Sequence, residues 1–367
     1  MTYDNTNQPV EKKPAAIQTV LVTGSQGFIG TYICADLLQR GYQVIGIDDY
    51  SKYGRVVRPH DGHDNFDFIE GKVESILHIL NHLRFKDTGD APNYIIHLAA
   101  KIGGIAYFHK YAYDLLSDNE KINTAVFDYA VSLQKCEKID FKRFMYFSSS
   151  MVFESASVFP TKESHITACP PPLSTYGASK LIGEYFCKGA GEQYGLPYTI
   201  IRPFNCVGVG EDDKLSGTET PDGNEKMMLS HVLPDLVYRA IKIGEEAELT
   251  ILGSGNQVRH YTNGRDIARG TIMAMEDANA GGEAFNISHK HPVSVLQLVS
   301  VVYECLYGFG VFPPSIKHAK GFEYDVQHRS PDVSKAHEML GFSADISLRE
   351  SVLEVCEWMK KRIHEEE

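Results

Sequence analysis

The sequence predicts an α/β protein: a doubly wound parallel sheet with a smaller, mixed C-terminal lobe. Three observations support this. Apolar runs of strand length alternate with helix-length periodic stretches from Ile17 to Pro203. The first strand runs into a glycine-rich turn that opens a helix. Beyond Asn205 the alternation loosens into a long polar loop and a mixed region.

Residues 1–16 are polar and read as a flexible tail. Thr19 to Val22 is a short apolar run of the kind buried on both faces of a parallel sheet. Phe28 to Arg40 reads as a helix closed by Gly41, and Val44 to Ile47 as a strand ending at Asp48. That is one βαβ unit in about 30 residues. Phe66 to Ile69, Tyr94 to Leu98, Arg143 to Phe147 and Tyr198 to Ile201 read as further strands. Ile76 to Leu83, Leu115 to Lys135 and Ser179 to Tyr194 read as the helices between them. Residues 208–228 read as a loop, Ser230 to Gly244 as a helix, Leu249 to Leu252 as a strand and Ser347 to about Ile363 as a C-terminal helix. The expected division is 17–205 for the sheet domain, with 263–288 returning to it, and 206–262 with 289–367 for the lobe.

Length and composition agree with one large α/β unit carrying a grafted lobe. The chain has 367 residues, 43% of them apolar and 23% charged, enough to build a sizeable core. The net charge is -12 with no basic cluster, which argues against a nucleic-acid partner. Seven cysteines, an odd number with no CxxC pair, point to a reducing compartment rather than a disulfide or zinc framework. The N-terminus lacks the apolar core of a signal peptide, and no run reaches the ~18 apolar residues of a membrane span. A cytoplasmic protein without metal or membrane partner is expected.

The strongest local motif is Thr23-Gly24-Ser25-Gln26-Gly27-Phe28-Ile29-Gly30. Its first glycine permits a tight turn, its second lets backbone approach a pyrophosphate, and its third lets helix and strand pack closely. The helix N-terminus then offers N–H groups and a partial positive charge to phosphate. The spacing is GxxGxxG rather than GxGxxG, but strand and helix flank it as a dinucleotide site requires. Asp48 closes the second strand about 20 residues on, where a carboxylate binds ribose hydroxyls and repels a 2′-phosphate. NAD is therefore expected over NADP. An ordinary glycine-rich helix start is the competing reading.

Tyr176-Gly177-Ala178-Ser179-Lys180 sets a phenol and an ammonium four residues apart on one helix face. The ammonium is expected to pull the phenol's pKa below about 10. Such a tyrosine can take the proton of a sugar hydroxyl as hydride leaves its carbon. Ser149 ends a strand at the sheet's carboxyl edge, where its hydroxyl could hold the same oxygen. A chance Tyr–Lys spacing is the alternative for the pair taken alone.

With HLAAKIGG (His97 to Gly104), FSSSMVF (Phe147 to Phe153), YGASK, RPFN (Arg202 to Asn205), SHVLPDL (Ser230 to Leu236), GSGNQVRHY (Gly253 to Tyr261) and RSPDVSKA (Arg329 to Ala336), the chain resembles the extended short-chain dehydrogenase/reductase family. That family comprises the nucleotide-sugar epimerases and dehydratases. The resemblance implies a Rossmann-type NAD-binding domain, a lobe for a nucleoside diphosphate sugar, and a homodimer pairing two helices per subunit. It implies Ser149, Tyr176 and Lys180 as the catalytic trio. Cofactor contacts are expected from Gly24, Gln26, Gly27, Phe28, Ile29, Gly30, Asp48, Asp49, Lys72, Val73, Leu98, Ala99, Ala100, Lys101, Tyr176, Lys180 and Pro203. Substrate contacts are expected from Gly103, Ser150, Met151, Asn205, His231, Arg259 and Arg329, with Arg259 at the diphosphate. The aromatic cluster Tyr107, Phe108, His109, Tyr111 and Tyr113 lines the sugar pocket or the dimer interface.

AAKIGG and SHVLPDL look particularly like segments of the GDP-fucose synthases and GDP-mannose 3,5-epimerases, and His231 aligns with an acid of the former. The sequence then departs. Their cysteine two residues after the catalytic serine is Met151 here, and the Asp-Glu pair of the 4,6-dehydratases falls on Ser150-Met151. Removing a proton beside a ketone needs a titrating group, and a thioether does not titrate; Met151 may also simply pack the pocket. His231 is either that acid/base or a neutral hydrogen-bonding residue near the diphosphate. The expected reaction is epimerisation, at C4, through a transient ketone. A nucleotide-sugar 4-dehydrogenase or 4-ketosugar reductase is the alternative, and a non-catalytic NAD-binding module a third reading.

Overall fold

The computed structural model describes residues 17–82, 91–102, 111–211, 232–320 and 326–366. The strands in chain order are β1 (Thr19–Thr23), β2 (Gln43–Asp48), β3 (Phe66–Glu70), β4 (Tyr94–His97), β5 (Arg143–Phe147), β6 (Tyr198–Pro203), β7 (Cys206–Val207), β8 (Leu249–Leu252), β9 (Val258–Arg259), β10 (Thr262–Asn263), β11 (Ala284–Ile287), β12 (Val293–Ser294) and β13 (Ile316–Ala319). The helices are α1 (Phe28–Gln39), α2 (Ile76–His82), α3 (Ala112–Gln134), α4 (Thr175–Tyr194), α5 (Val232–Ile243), α6 (Gly264–Glu276), α7 (Val295–Tyr307), α8 (Ser334–Leu340) and α9 (Leu348–Glu366).

Seven strands form one sheet in the order β3-β2-β1-β4-β5-β6-β11, and every pairing in it is parallel. The expected fold class is borne out. The chain steps outward from β1 to β3, returns to β4 on the other side of β1, and continues to β6. The order reverses between β1 and β4, and a crevice opens at their carboxyl ends.

Alternation along each strand explains the layers. Val20, Val22, Val44, Ile96, Met145 and Ile201 pack into one core with α1 and α6. Leu21, Ile45, Ile95, Phe144 and Ile200 point the other way, into a core with α2, α3 and α4. Because side chains along a strand alternate in direction, a continuous apolar run covers both faces. A third core, with Leu236, Val299 and Val355, joins α5, α7 and α9.

Two elements differ from the sequence reading. Helix α4 starts at Thr175, not Ser179. Ser174 Oγ accepts the Gly177 N–H at 3.0 Å, and Glu154 Oε2 accepts the Ser174 N–H at 2.9 Å and its hydroxyl at 2.8 Å. This cap with a carboxylate behind it begins the helix in a polar stretch that periodicity does not mark. The stretch 264–287, for which no element had been named, forms α6 and β11, and β11 adds a parallel strand to β6.

Candidate active site

The glycine loop sits at the carboxyl end of β1. Gly24 has φ +76°, and a Cβ there would lie 3.0 Å from Ala99 N. A Cβ on Gly30 would meet the Gly24 carbonyl oxygen at 2.1 Å, so only glycine lets α1 approach the turn. Gly27 caps α1 and covers its first turn with no side chain. The amides of Phe28 and Ile29 therefore open a helix end whose partial charge suits a pyrophosphate.

Asp48 ends β2 beside this loop. Its Oδ2 accepts the Gln26 N–H at 3.1 Å and its Oδ1 the Tyr50 N–H at 2.8 Å. Burial raises its carboxyl pKa, against those two hydrogen bonds. Gln26 supports the loop from behind: its side chain donates to Asp61 Oδ1 at 2.9 Å, and its carbonyl accepts from Arg58 Nε at 3.0 Å. Arg58, not anticipated from sequence, is buried and also donates to the Gly210 carbonyl at 3.1 Å. Arg55 is paired with Glu70 at 2.7 Å. Asp49 Oδ1 accepts the Ser51 N–H at 3.0 Å. The Gly71 N–H is held by the Asp48 carbonyl at 3.0 Å, leaving Lys72 exposed and the Val73 side chain in the core below.

The opposite wall is Leu98 to Lys101. Leu98 N donates to the Thr23 carbonyl at 3.1 Å and Ala99 N to Thr23 Oγ1 at 3.3 Å, which draws both half-buried residues, with Ala100, beside Gly24. Asn119 grips the Lys101 backbone from both sides, at 2.6 and 3.1 Å, and the Lys101 ammonium pairs with Asp118 at 2.7 Å.

His97 lies beneath this wall. Asn123 Oδ1 can only accept, so His97 Nε2 donates to it at 3.2 Å, and Nδ1 accepts from the Thr23 hydroxyl at 2.8 Å. Burial pushes His97 down to about 3 from 6.5. Below pH 6.5 the unfolded chain takes up a proton that the folded chain refuses, so stability falls with pH until about 3. The expected loss from His97 is about 2–3 kcal/mol between pH 7 and pH 4.5. Urea unfolding of the wild type and a His97→Gln variant at both pH values checks this, since the variant should show the smaller drop. Equal drops would rule His97 out as the source.

Ser149 and Tyr176 meet at the carboxyl ends of β5 and β6. The Tyr176 hydroxyl is hydrogen-bonded to Ser149, whose Oγ also accepts the Met151 N–H at 3.1 Å. Tyr176 is 6% exposed. Burial pushes its phenol up to about 12, with the Ser149 hydrogen bond and the Arg329 guanidinium acting in the opposite sense. This corrects the expectation that Lys180 sets the phenol. Lys180 Nζ donates to the Phe147 carbonyl at 2.8 Å and lies 5.9 Å from the centre of the Tyr176 ring. The ammonium is itself brought down to about 8 by burial, with Glu120 opposing. Its spacing to the tyrosine is local, but its hydrogen bond is set by β5.

Met151 packs in an apolar cluster with Leu115 and Tyr176, and Ser150 is buried next to it. Pro203 ends β6, and Asn205 follows with φ +36°. The Asn205 carbonyl accepts the Thr262 N–H at 3.1 Å, and its side chain donates to the His260 carbonyl at 3.5 Å. Arg259 lies on β9, where its guanidinium donates to the Val258 carbonyl at 2.9 Å. Arg329 is drawn to the same rung: Val258 N donates to the Gln327 carbonyl at 2.9 Å, and Arg329 N to the Val258 carbonyl at 3.3 Å. Gly103 and His231, with Tyr107, Phe108 and His109, lie outside the described residues. Tyr111 is half-buried and Tyr113 exposed.

Sequence reading also missed the polar frame behind the serines. Arg202, 2% exposed, makes a two-pronged ion pair with Glu184 at 2.8 and 2.7 Å. Ser148 Oγ donates to the same carboxylate at 2.6 Å, and Arg202 Nη1 donates to the Glu163 carbonyl at 3.2 Å. Glu184 lies four residues past Lys180, which was the one available signal.

A model of the NAD dependent epimerase/dehydratase family matches residues 20–288. A putative UDP-glucose 4-epimerase of Methanocaldococcus jannaschii is 27% identical over 353 residues, 93% of this chain and 98% of that one. The crystal structure of a UDP-glucose 4-epimerase with UDP-glucose from Thermotoga maritima is 27% identical, with a TM-score of 0.75 over 94% of this chain and 100% of that one. A UDP-glucuronic acid 4-epimerase from Bacillus cereus, in complex with UDP-glucuronic acid and NAD, is 25% identical, with a TM-score of 0.73 over 94% of this chain and 100% of that one.

Proposed function

Because the chain belongs to the NAD dependent epimerase/dehydratase family, we propose that it is an NAD-dependent epimerase of a nucleoside diphosphate sugar, inverting C4 through a transient 4-keto sugar. The observation that carries this reading is the buried Ser149–Tyr176 hydrogen bond, with the Met151 thioether packed against the same phenol. One group able to move a proton at a sugar hydroxyl is present there. The position beside it is filled by a side chain that does not titrate, which disfavours proton removal next to the ketone.

In this reading Tyr176 Oη takes the proton of the C4 hydroxyl and returns it after the keto sugar has turned over in the pocket. Ser149 Oγ holds the same sugar oxygen. Lys180, fixed by the Phe147 carbonyl, brings positive charge toward the phenol and the ribose beside it. The loop Gly24 to Gly30, Asp48, Leu98 to Lys101 and Pro203 hold NAD; the uncapped α1 terminus and the Asp48 carboxylate fit its pyrophosphate and ribose. When bound, NAD supplies a hydride acceptor carrying positive charge on its ring. Arg259 and Arg329 hold the diphosphate, and Ser150, Met151 and Asn205 face the sugar.

The cofactor half of the proposed division is 17–205 with 263–288, and the sugar half is 206–262 with 289–367. A second copy pairs along α3 and α4, where Ile182 and Tyr185, one turn apart, stand exposed on α4. All seven cysteines are free, which suits the cytoplasm. No helix among the described residues is long and apolar enough to cross a membrane.

The test is to incubate the purified protein, without added NAD, with UDP-glucose, UDP-glucuronic acid, UDP-N-acetylglucosamine and GDP-, CDP- and dTDP-hexoses, following configuration by NMR. Inversion at C4 of one of them is expected. Inversion of none, or stoichiometric build-up of reduced cofactor, would discard the proposal.

A further inference from the structure

The two arginines proposed for the diphosphate come from distant parts of the chain, and one buried ring joins their supports. His260 follows Arg259 and is 2% exposed. The His289 carbonyl can only accept, so His260 Nδ1 donates to it at 2.8 Å. Nε2 is then the acceptor for the Ser330 hydroxyl at 2.9 Å, across 70 residues of chain. Arg329 thus lies between two anchors. On one side its own N–H and the Gln327 carbonyl pair with Val258. On the other, Ser330 is held through its hydroxyl by His260 and through its carbonyl by the Thr161 N–H at 2.8 Å. A single backbone rung lets an arm pivot about the strand it touches; a side-chain bond on the far side of Arg329 removes that freedom.

We propose that His260 is a positioning residue: by binding Ser330 it locks the arm bearing Arg329 against the strand bearing Arg259, and so sets affinity for the substrate's diphosphate. This rests on the reading that the two arginines hold that group. The binding energy gained is entropic, because the guanidinium is already placed before the ligand arrives.

The test uses full-length His260→Asn, Ser330→Ala and the double variant. Asparagine still reaches the His289 carbonyl but not Ser330, and alanine removes only the hydroxyl. Dissociation constants for UDP, GDP, CDP and dTDP are measured by calorimetry, with kcat and KM for whichever sugar nucleotide the wild type inverts. Each single variant should weaken binding of the preferred diphosphate, and raise KM, by about 3–10-fold, the usual worth of one buried hydrogen bond. The double variant should be no worse than the worse single one, with kcat unchanged. Wild-type affinity in Ser330→Ala, additive losses, or a fall in kcat at constant affinity would overturn the proposal even if His260→Asn fails to fold. A wild type that binds none of the four nucleotides, or inverts no sugar, would instead remove the functional reading beneath it.

Discussion

Replacing Tyr176 by Phe is expected to lower turnover by about 10²–10⁴-fold while bound NAD is retained. The substitution removes only the hydroxyl that meets Ser149, and the ring keeps its place against Met151 and Leu115. No other change in the site separates proton transfer from binding so cleanly. In the protein alone the phenol is pushed up to about 12, so its ionised form is scarce near neutrality. Rate should therefore rise with pH, until loss of the Lys180 ammonium, brought down to about 8, intervenes. Initial rates by NMR, and NAD content after denaturation, check the variant. A loss smaller than tenfold would remove Tyr176 from the chemistry. Loss of NAD along with activity would make it a binding residue instead.

The second large effect is on stability. Replacing Arg202 by Met should cost about 3–5 kcal/mol, because it leaves the Glu184 carboxylate buried without its cation. Glu184 would keep only the Ser148 hydroxyl, a single donor for two oxygens. Replacing both, as Arg202→Met with Glu184→Leu, should recover most of the loss, since a buried pair barely exceeds its own desolvation. Chemical denaturation of the three variants tests this. A single variant within 1 kcal/mol of the wild type, or a double variant worse than the single, would contradict it. The pair also ties Ser148 to α4, so the double variant should be slower even if stable.

How far these groups could be read beforehand follows from how local their causes are. The runs around Val20, Val44, Ile95 and Phe144 announced strands because burial on both faces needs nothing but apolar side chains in sequence. The turn at Gly24 was legible for the same reason, since a positive φ and a close contact constrain one residue. The start of α4 was not. Its cap depends on Glu154, 20 residues before Ser174, and no local period reports that bond. The sign of the Tyr176 shift was misread because spacing brings an ammonium within a turn but says nothing about burial or about the Phe147 carbonyl that takes its proton.

What the sequence by itself determined is the parallel α/β sheet, the dinucleotide turn and the presence of a tyrosine, a lysine and a serine able to serve one site. Each is written in residues within a few turns of one another. Only the tertiary structure decided which carboxylate Arg202 meets, what burial does to the phenol, and how Arg259 and Arg329 come to share a rung. Those outcomes are set by which surfaces exclude water together, and that depends on chain segments that are far apart until the sheet has formed.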